Sequence, residues 1–262
     1  MSGPRLGSVN LADSVTVARS EYAAAAADAL DLPVSTVLAL MDRELDDLKN
    51  RRPSPSDERW YASIERGQPD YGIYDDPTYM LYLWPGTVLY ARPTLRWISQ
   101  HVPAARVRTV IDVGCGIGYS TACLAAAYPD AAVYGTNVEG VQAKAARSLG
   151  RRHGFTLRPD VASIEVTDPS STLIVASEYF EHFHAPIAHL RTILSSVVPH
   201  WFAIANAFGA VSAGHFPQYL DGSTHYTPRQ IGRRFNDHLR QHGYTKTGSG
   251  WNGRPSLWTQ KD

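Results

Sequence analysis

The stretch Thr109-Val-Ile-Asp-Val-Gly-Cys-Gly-Ile-Gly118 decides how this chain is read. Five residues suited to a strand run into three closely spaced glycines, and a helical segment follows at 119–128. Glycines at such a turn allow a sharp reversal and let a ligand approach the backbone with no side chain between. The third glycine comes one residue earlier than in the Gly-x-Gly-x-x-Gly of dinucleotide sites, which excludes the ordinary nicotinamide reading.

Outward from this turn, short β-branched runs alternate with helical segments. Strands are expected near 108–113, 132–136, 155–158, 172–177 and 201–205, with helices between them and a further helix at 228–242, opened by Thr227 and Pro228 and closed by Gly243. A hairpin over 244–260 completes a doubly wound, mostly parallel seven-stranded α/β sheet. Upstream, two helices are expected at 11–30 and 34–48, and the proline- and serine-rich run 51–57 reads as a linker. Residues 58–105 hold many aromatics, suited to a packed cap or a pocket wall. The expected organisation is thus an N-terminal helical extension (1–57), an aromatic segment (58–105) and the glycine-turn domain (106–262).

Composition narrows the function classes. The 25 basic and 25 acidic residues cancel, so no global field gathers nucleic acid or anionic membrane. No apolar run reaches the roughly 20 residues a membrane helix needs, and the start does not read as a secretion signal. The expectation is a cytoplasmic protein with no membrane partner. Cys115 and Cys123 fit neither a disulfide framework nor a CxxC metal site.

Asp112 followed by Gly114, Gly116 and Gly118 resembles motif I of class I S-adenosylmethionine (SAM)-dependent methyltransferases. The resemblance implies a Rossmann-like methyltransferase fold in which the glycines pack against SAM and Asp112 helps fix the methionine ammonium. Cys115, within the turn, and Ser177, at the end of the fourth strand, join them as cofactor-binding candidates. The family usually places an acid after the second strand to grip the ribose; here Asn137 stands there, with Glu139 competing. The run through Gln142 is similar to that of sterol methyltransferases and cyclopropane synthases. Asp160 falls where the family accepts from the adenine amine.

After the fourth strand comes Ser177-Glu-Tyr-Phe-Glu-His-Phe-His-Ala-Pro186. If this forms a helical turn, Glu178, Glu181 and His182 share one face at the carboxyl ends of the strands, where ligands of open α/β sheets bind. Two carboxylates and an imidazole suit magnesium, manganese or zinc. The Glu-x-x-Glu-His spacing also resembles ubiquinone-pathway O-methyltransferases and small-RNA 3′-end 2′-O-methyltransferases, which implies a metal set of Glu178, Glu181, His182 and a later histidine. His225 and His215 are the candidates, His225 lying nearer the ubiquinone-pathway pattern. The competing role is His182, with Glu181, as catalytic acid–base. The expected activity is O-methylation of a small hydroxylated metabolite. A nucleic-acid acceptor and a non-catalytic SAM-binding scaffold stand as alternatives, and the N-terminal segment is the expected face of a homodimer.

Overall fold

The computed structural model describes residues 19–49, 55–250 and 254–261. The start of the first expected helix, at 11–18, most of the expected linker, and Trp251 lie outside the described residues. Five strands, β1 (Thr109–Val113), β2 (Ala132–Thr136), β3 (Thr156–Arg158), β4 (Thr172–Ser177) and β5 (Trp201–Ala205), lie parallel. A short hairpin, β6 (Tyr219–Asp221) and β7 (Thr224–Tyr226), stands apart, and β8 (Tyr244–Ser249) pairs antiparallel with β9 (Ser256–Gln260). The seven-stranded order is β3-β2-β1-β4-β5-β9-β8, with β9 antiparallel to β5.

The central strands β1, β4 and β5 are buried almost end to end, as continuous apolar runs in a doubly covered sheet must be. Their crossover helices are α5 (Tyr119–Ala127), α6 (Val141–His153) and α7 (Pro186–Ser196), with α8 (Pro228–Gln241) before the final hairpin. The N-cap of α8 is a full capping box between Thr227 and Gln230, with Pro228 in the first turn. Reversal of strand order between β1 and β4 opens a crevice at the carboxyl edge.

Before the sheet come α1 (Arg19–Leu30), α2 (Val34–Lys49), α3 (Pro55–Glu65), a 3-10 turn at Tyr71–Asp75 and α4 (Pro77–His101). The chain bends by 111° between α1 and α2. Three departures from the sequence reading matter. Helix α3 begins at Pro55, inside the expected linker; residues 58–105 are mostly helical; and the β6–β7 hairpin was not expected. Trp258 of β9 lies fully buried in the core, with its indole N–H donating to Ser256 Oγ at 3.0 Å.

The alanine run has a packing role. Ala23, Ala25 and Ala26 are fully buried where α1 lies against α6, and the Tyr22 hydroxyl donates to the Met80 carbonyl of α4 at 2.9 Å. Small side chains let the two helices approach closely, and a larger one has nowhere to go. Ala26→Leu should therefore lower stability by about 1–3 kcal/mol, read as a fall in the urea midpoint at constant slope. An unchanged midpoint would show that α1 is only loosely seated.

Candidate functional site

The glycine turn sits where the crevice opens. Gly114 and Gly116 have φ of +67° and +55°, a region that L side chains rarely adopt. A Cβ at Gly116 would meet only Gln142 Oε1, at 3.5 Å, so the backbone there faces open space. Gly114 is different: a Cβ would fall 2.1 Å from the Tyr179 ring, so this glycine is required by a protein neighbour. Cys115 is buried and its N–H donates to the Thr136 carbonyl, tying the turn to β2.

Asp112 is buried and accepts from Ser120 Oγ at 2.6 Å and Thr121 Oγ1 at 2.7 Å. Burial dominates over these two bonds and pushes its carboxyl up to about 6. Asn137 donates from Nδ2 to the Gly116 carbonyl at 2.8 Å and accepts from Val138 N–H at 2.9 Å, so its amide braces the turn. Glu139, its competitor, forms an exposed ion pair with Arg147. Asp160 is the N-cap of a short turn, accepting from Ser163 N–H at 2.8 Å. Ser177 ends β4 opposite Ala205.

The acid and histidine cluster is not built as the helical reading expected. Glu178 stands at φ +49° and the helical turn, a 3-10 one, covers only Phe180–His182. Glu181 is fully buried; its Oε1 accepts from Ala207 N–H at 2.5 Å, while Oε2 has no partner. Burial first, and the charge of Glu178 second, hold the Glu181 carboxyl well above the usual carboxylate range; Glu178 is also raised, by its surroundings. His182 Nδ1 is hydrogen-bonded to the Tyr74 hydroxyl at 2.9 Å, and burial pushes the imidazole down to about 3. It is neutral at physiological pH, and its titration is displaced far below the ordinary histidine range.

The structure brings two members of the expected metal set together with His215. Ligand atoms of Glu178, Glu181 and His215 lie within 4.8 Å of one another. His182 stands beside this group, its ring centre 4.8 Å from that of His215, with Nδ1 already engaged by Tyr74. His225 is elsewhere, on β7 opposite Leu220 and 6.1 Å from the His184 ring. The loop after β5 delivers the later histidine, and α3 holds that loop. Trp60 Nε1 donates to the His215 carbonyl at 2.8 Å, Tyr61 hydroxyl to Ser212 carbonyl at 3.1 Å, and Ala213 N–H to Asp57 at 2.8 Å. His215 Nδ1 is paired with the Ala210 carbonyl at 3.0 Å, which in the neutral ring leaves Nε2 as the lone-pair nitrogen.

The family described as "Methyltransferase domain" matches residues 111–200, from β1 through the glycine turn to the end of α7. Residues 111–200 thus match a methyltransferase domain, and together with the relatives below this supports a class I SAM-dependent methyltransferase. Among curated relatives, this methyltransferase is 27% identical over 140 residues to trans-aconitate 2-methyltransferase of Rhodopseudomonas palustris, covering 53% of this chain and 50% of that protein. It is 30% identical over 140 residues to the enzyme of the same name from Methylobacterium radiotolerans, covering 53% and 49%. The chain thus matches about half the length of these curated relatives. Its fold is shared with the SAM-dependent methyltransferase SibL, at TM-score 0.52 and 18% identity over 87% of this chain and 75% of that one.

The contact between Gly114 and Tyr179 gives a test of the site's framework. Gly114→Ala should cost about 1–3 kcal/mol or more through strain and overlap together. Adding Tyr179→Ala should recover part of that loss, as a coupling in a double-mutant cycle of thermal or urea unfolding. Strict additivity would show that the ring does not constrain the turn.

Proposed function

We propose that this methyltransferase transfers a methyl group from SAM to an oxygen of a small hydroxylated metabolite, with the cluster at Glu178–His182 receiving the acceptor's proton. The carrying observation is Glu181, a fully buried carboxyl with one unpartnered oxygen at the carboxyl edge of the sheet. Tyr179, between the two acids, bridges from this cluster to Gly114.

The residues present fit SAM: the backbone at Gly116 is open, and Asp112 and Asn137 converge on the same edge. When bound, SAM supplies a methyl group on a sulfonium, displaced in line by the acceptor oxygen. The chain's part is to hold that oxygen in line and take its proton. In its ionised form Glu181 is the better proton acceptor, since its surroundings favour the return to the protonated carboxyl, while those of His182 disfavour the imidazolium. His182 serves then as a neutral hydrogen-bonding wall. Supporting the small acceptor, the curated relatives are named for methylating trans-aconitate, a small organic acid. Zero net charge argues against a nucleic-acid acceptor.

A second reading is favoured by the same orphan oxygen. Glu178, Glu181 and His215 would hold magnesium, manganese or zinc, with the ion positioning the acceptor oxygen and lowering its pKa. Labelled SAM incubated with a metabolite extract decides the main claim: label in a small product supports it, label in nucleic acid overturns the acceptor, and binding without turnover leaves a scaffold. EDTA with readdition of each ion separates the two readings. Glu181→Gln should lower turnover by about 10²-fold or more with SAM affinity nearly unchanged. Full activity in that variant would remove Glu181 from the chemistry.

Asp112 gives a pH dependence with a definite sign. Its carboxyl is raised from 3.8 to about 6, so charging it costs the free protein stability as pH rises through that interval. A cationic ammonium prefers the charged carboxylate, so affinity for SAM should fall as pH drops below about 6, approaching tenfold per unit. Calorimetric titration between pH 5 and 8 reads this directly, and Asp112→Asn should flatten the profile. A wild-type profile without a step near 6 would separate Asp112 from the ammonium.

A further inference from the structure

The segment 70–76 crosses the mouth of the crevice from the cofactor side to the acid side. On the cofactor side the Tyr74 carbonyl accepts from Gln142 Nε2 at 3.2 Å, and a Cβ at Gly140 would fall 2.0 Å from Asp75 Oδ1. On the acid side the Tyr74 hydroxyl meets His182 Nδ1, and a Cβ at Gly214 would fall 2.3 Å from that hydroxyl. Glycines on two separate loops thus leave room for consecutive residues of one segment. Arg59 of α3 clamps both ends, through Nε to Asp70 at 2.6 Å and through Nη1 to Asp76 at 3.6 Å.

The space beneath is small. A cavity of about 50 Å³ lies between Tyr74, Asp75, Asn137 and Gln142. Pockets for ligands of this kind start near roughly 300 Å³. A ligand of nucleoside size needs more room than this cavity gives.

We propose that 70–76 is a strap over the SAM groove and that Tyr74 is its positioning residue: the strap lifts to admit SAM and, on closing, its hydroxyl fixes the ring orientation and tautomer of His182. This rests on the SAM reading given above. The ring of Tyr74 is held edge-on by Tyr79, with centres 5.6 Å apart, so deleting the hydroxyl leaves its packing in place.

Two measurements test the strap besides activity. In Tyr74→Phe the imidazole ¹⁵N shifts of His182 should move toward a mixed tautomer population, without ligand present. In Arg59→Ala, which loosens both ends, and in Gly140→Ala, which displaces Asp75, stopped-flow SAM association should quicken about three- to tenfold. Tyr74→Phe should lower kcat more than it raises KM, and Tyr74→His, which restores a polar ring, should recover part of the loss. Unchanged His182 shifts, or association rates equal to wild type in both loosened variants, overturn the proposal. If wild type binds no SAM by calorimetry, the cofactor reading fails instead, and the ligand-free ¹⁵N comparison still decides whether Tyr74 sets His182.

Discussion

The hydrogen bond from Ala207 N–H to the buried Glu181 carboxyl is the contact on which the site depends. It joins the turn after β4 to the loop after β5 across the carboxyl edge of two neighbouring parallel strands. A buried carboxyl without a partner costs several kcal/mol, so this one bond to a backbone donor forces the two loops together. Tyr219 reinforces the join, its hydroxyl donating to the Glu181 carbonyl at 3.2 Å and reaching the Phe208 carbonyl at 3.4 Å. Once the loops are fixed, His215 has little choice but to stand against the acids.

Residues before β1 complete what the sheet begins. Trp60, Tyr61 and Asp57 of α3 hold the loop that carries Gly214 and His215, and Arg59 of the same helix holds the ends of 70–76. One helix therefore sets both the later histidine and the segment whose Tyr74 meets Gln142 and His182. The N-terminal part of the chain is a structural component of the site, packed through Trp60 against Phe216 with ring centres 5.3 Å apart.

What was legible in the sequence was what is local. The strand, turn and helix at 109–127 are encoded by neighbouring residues, as is the N-cap at Thr227, and both stand where they were read. The site is assembled from distant segments, and there periodicity was silent. The resemblance to the ubiquinone-pathway pattern favoured His225 over His215, and nothing local reveals that 219–226 folds into its own hairpin and carries His225 off. Tyr74 was one of many tyrosines in an aromatic stretch; only the contact with His182, 108 positions away, distinguishes it. The helical-face argument for Glu178, Glu181 and His182 failed on one residue, since Glu178 adopts a left-handed backbone before the turn begins.

The electrostatics of the cluster follow from burial more than from its composition. Two acids and two histidines would form cross-pairs in water, with imidazolium neutralising carboxylate. Here the surroundings remove charge from both kinds of group: His182 and His215 are pushed toward the neutral ring, Glu178 and Glu181 toward the neutral acid. The acids cannot both ionise cheaply, because the charge of Glu178 raises the carboxyl of Glu181, and the nearby cationic influence on Glu178 is that of Arg254. Once either acid ionises, the cluster is short of one positive charge. A proton taken from an acceptor and a divalent ion are two ways of supplying it, which is why one orphan oxygen on Glu181 supports both chemical readings of the site.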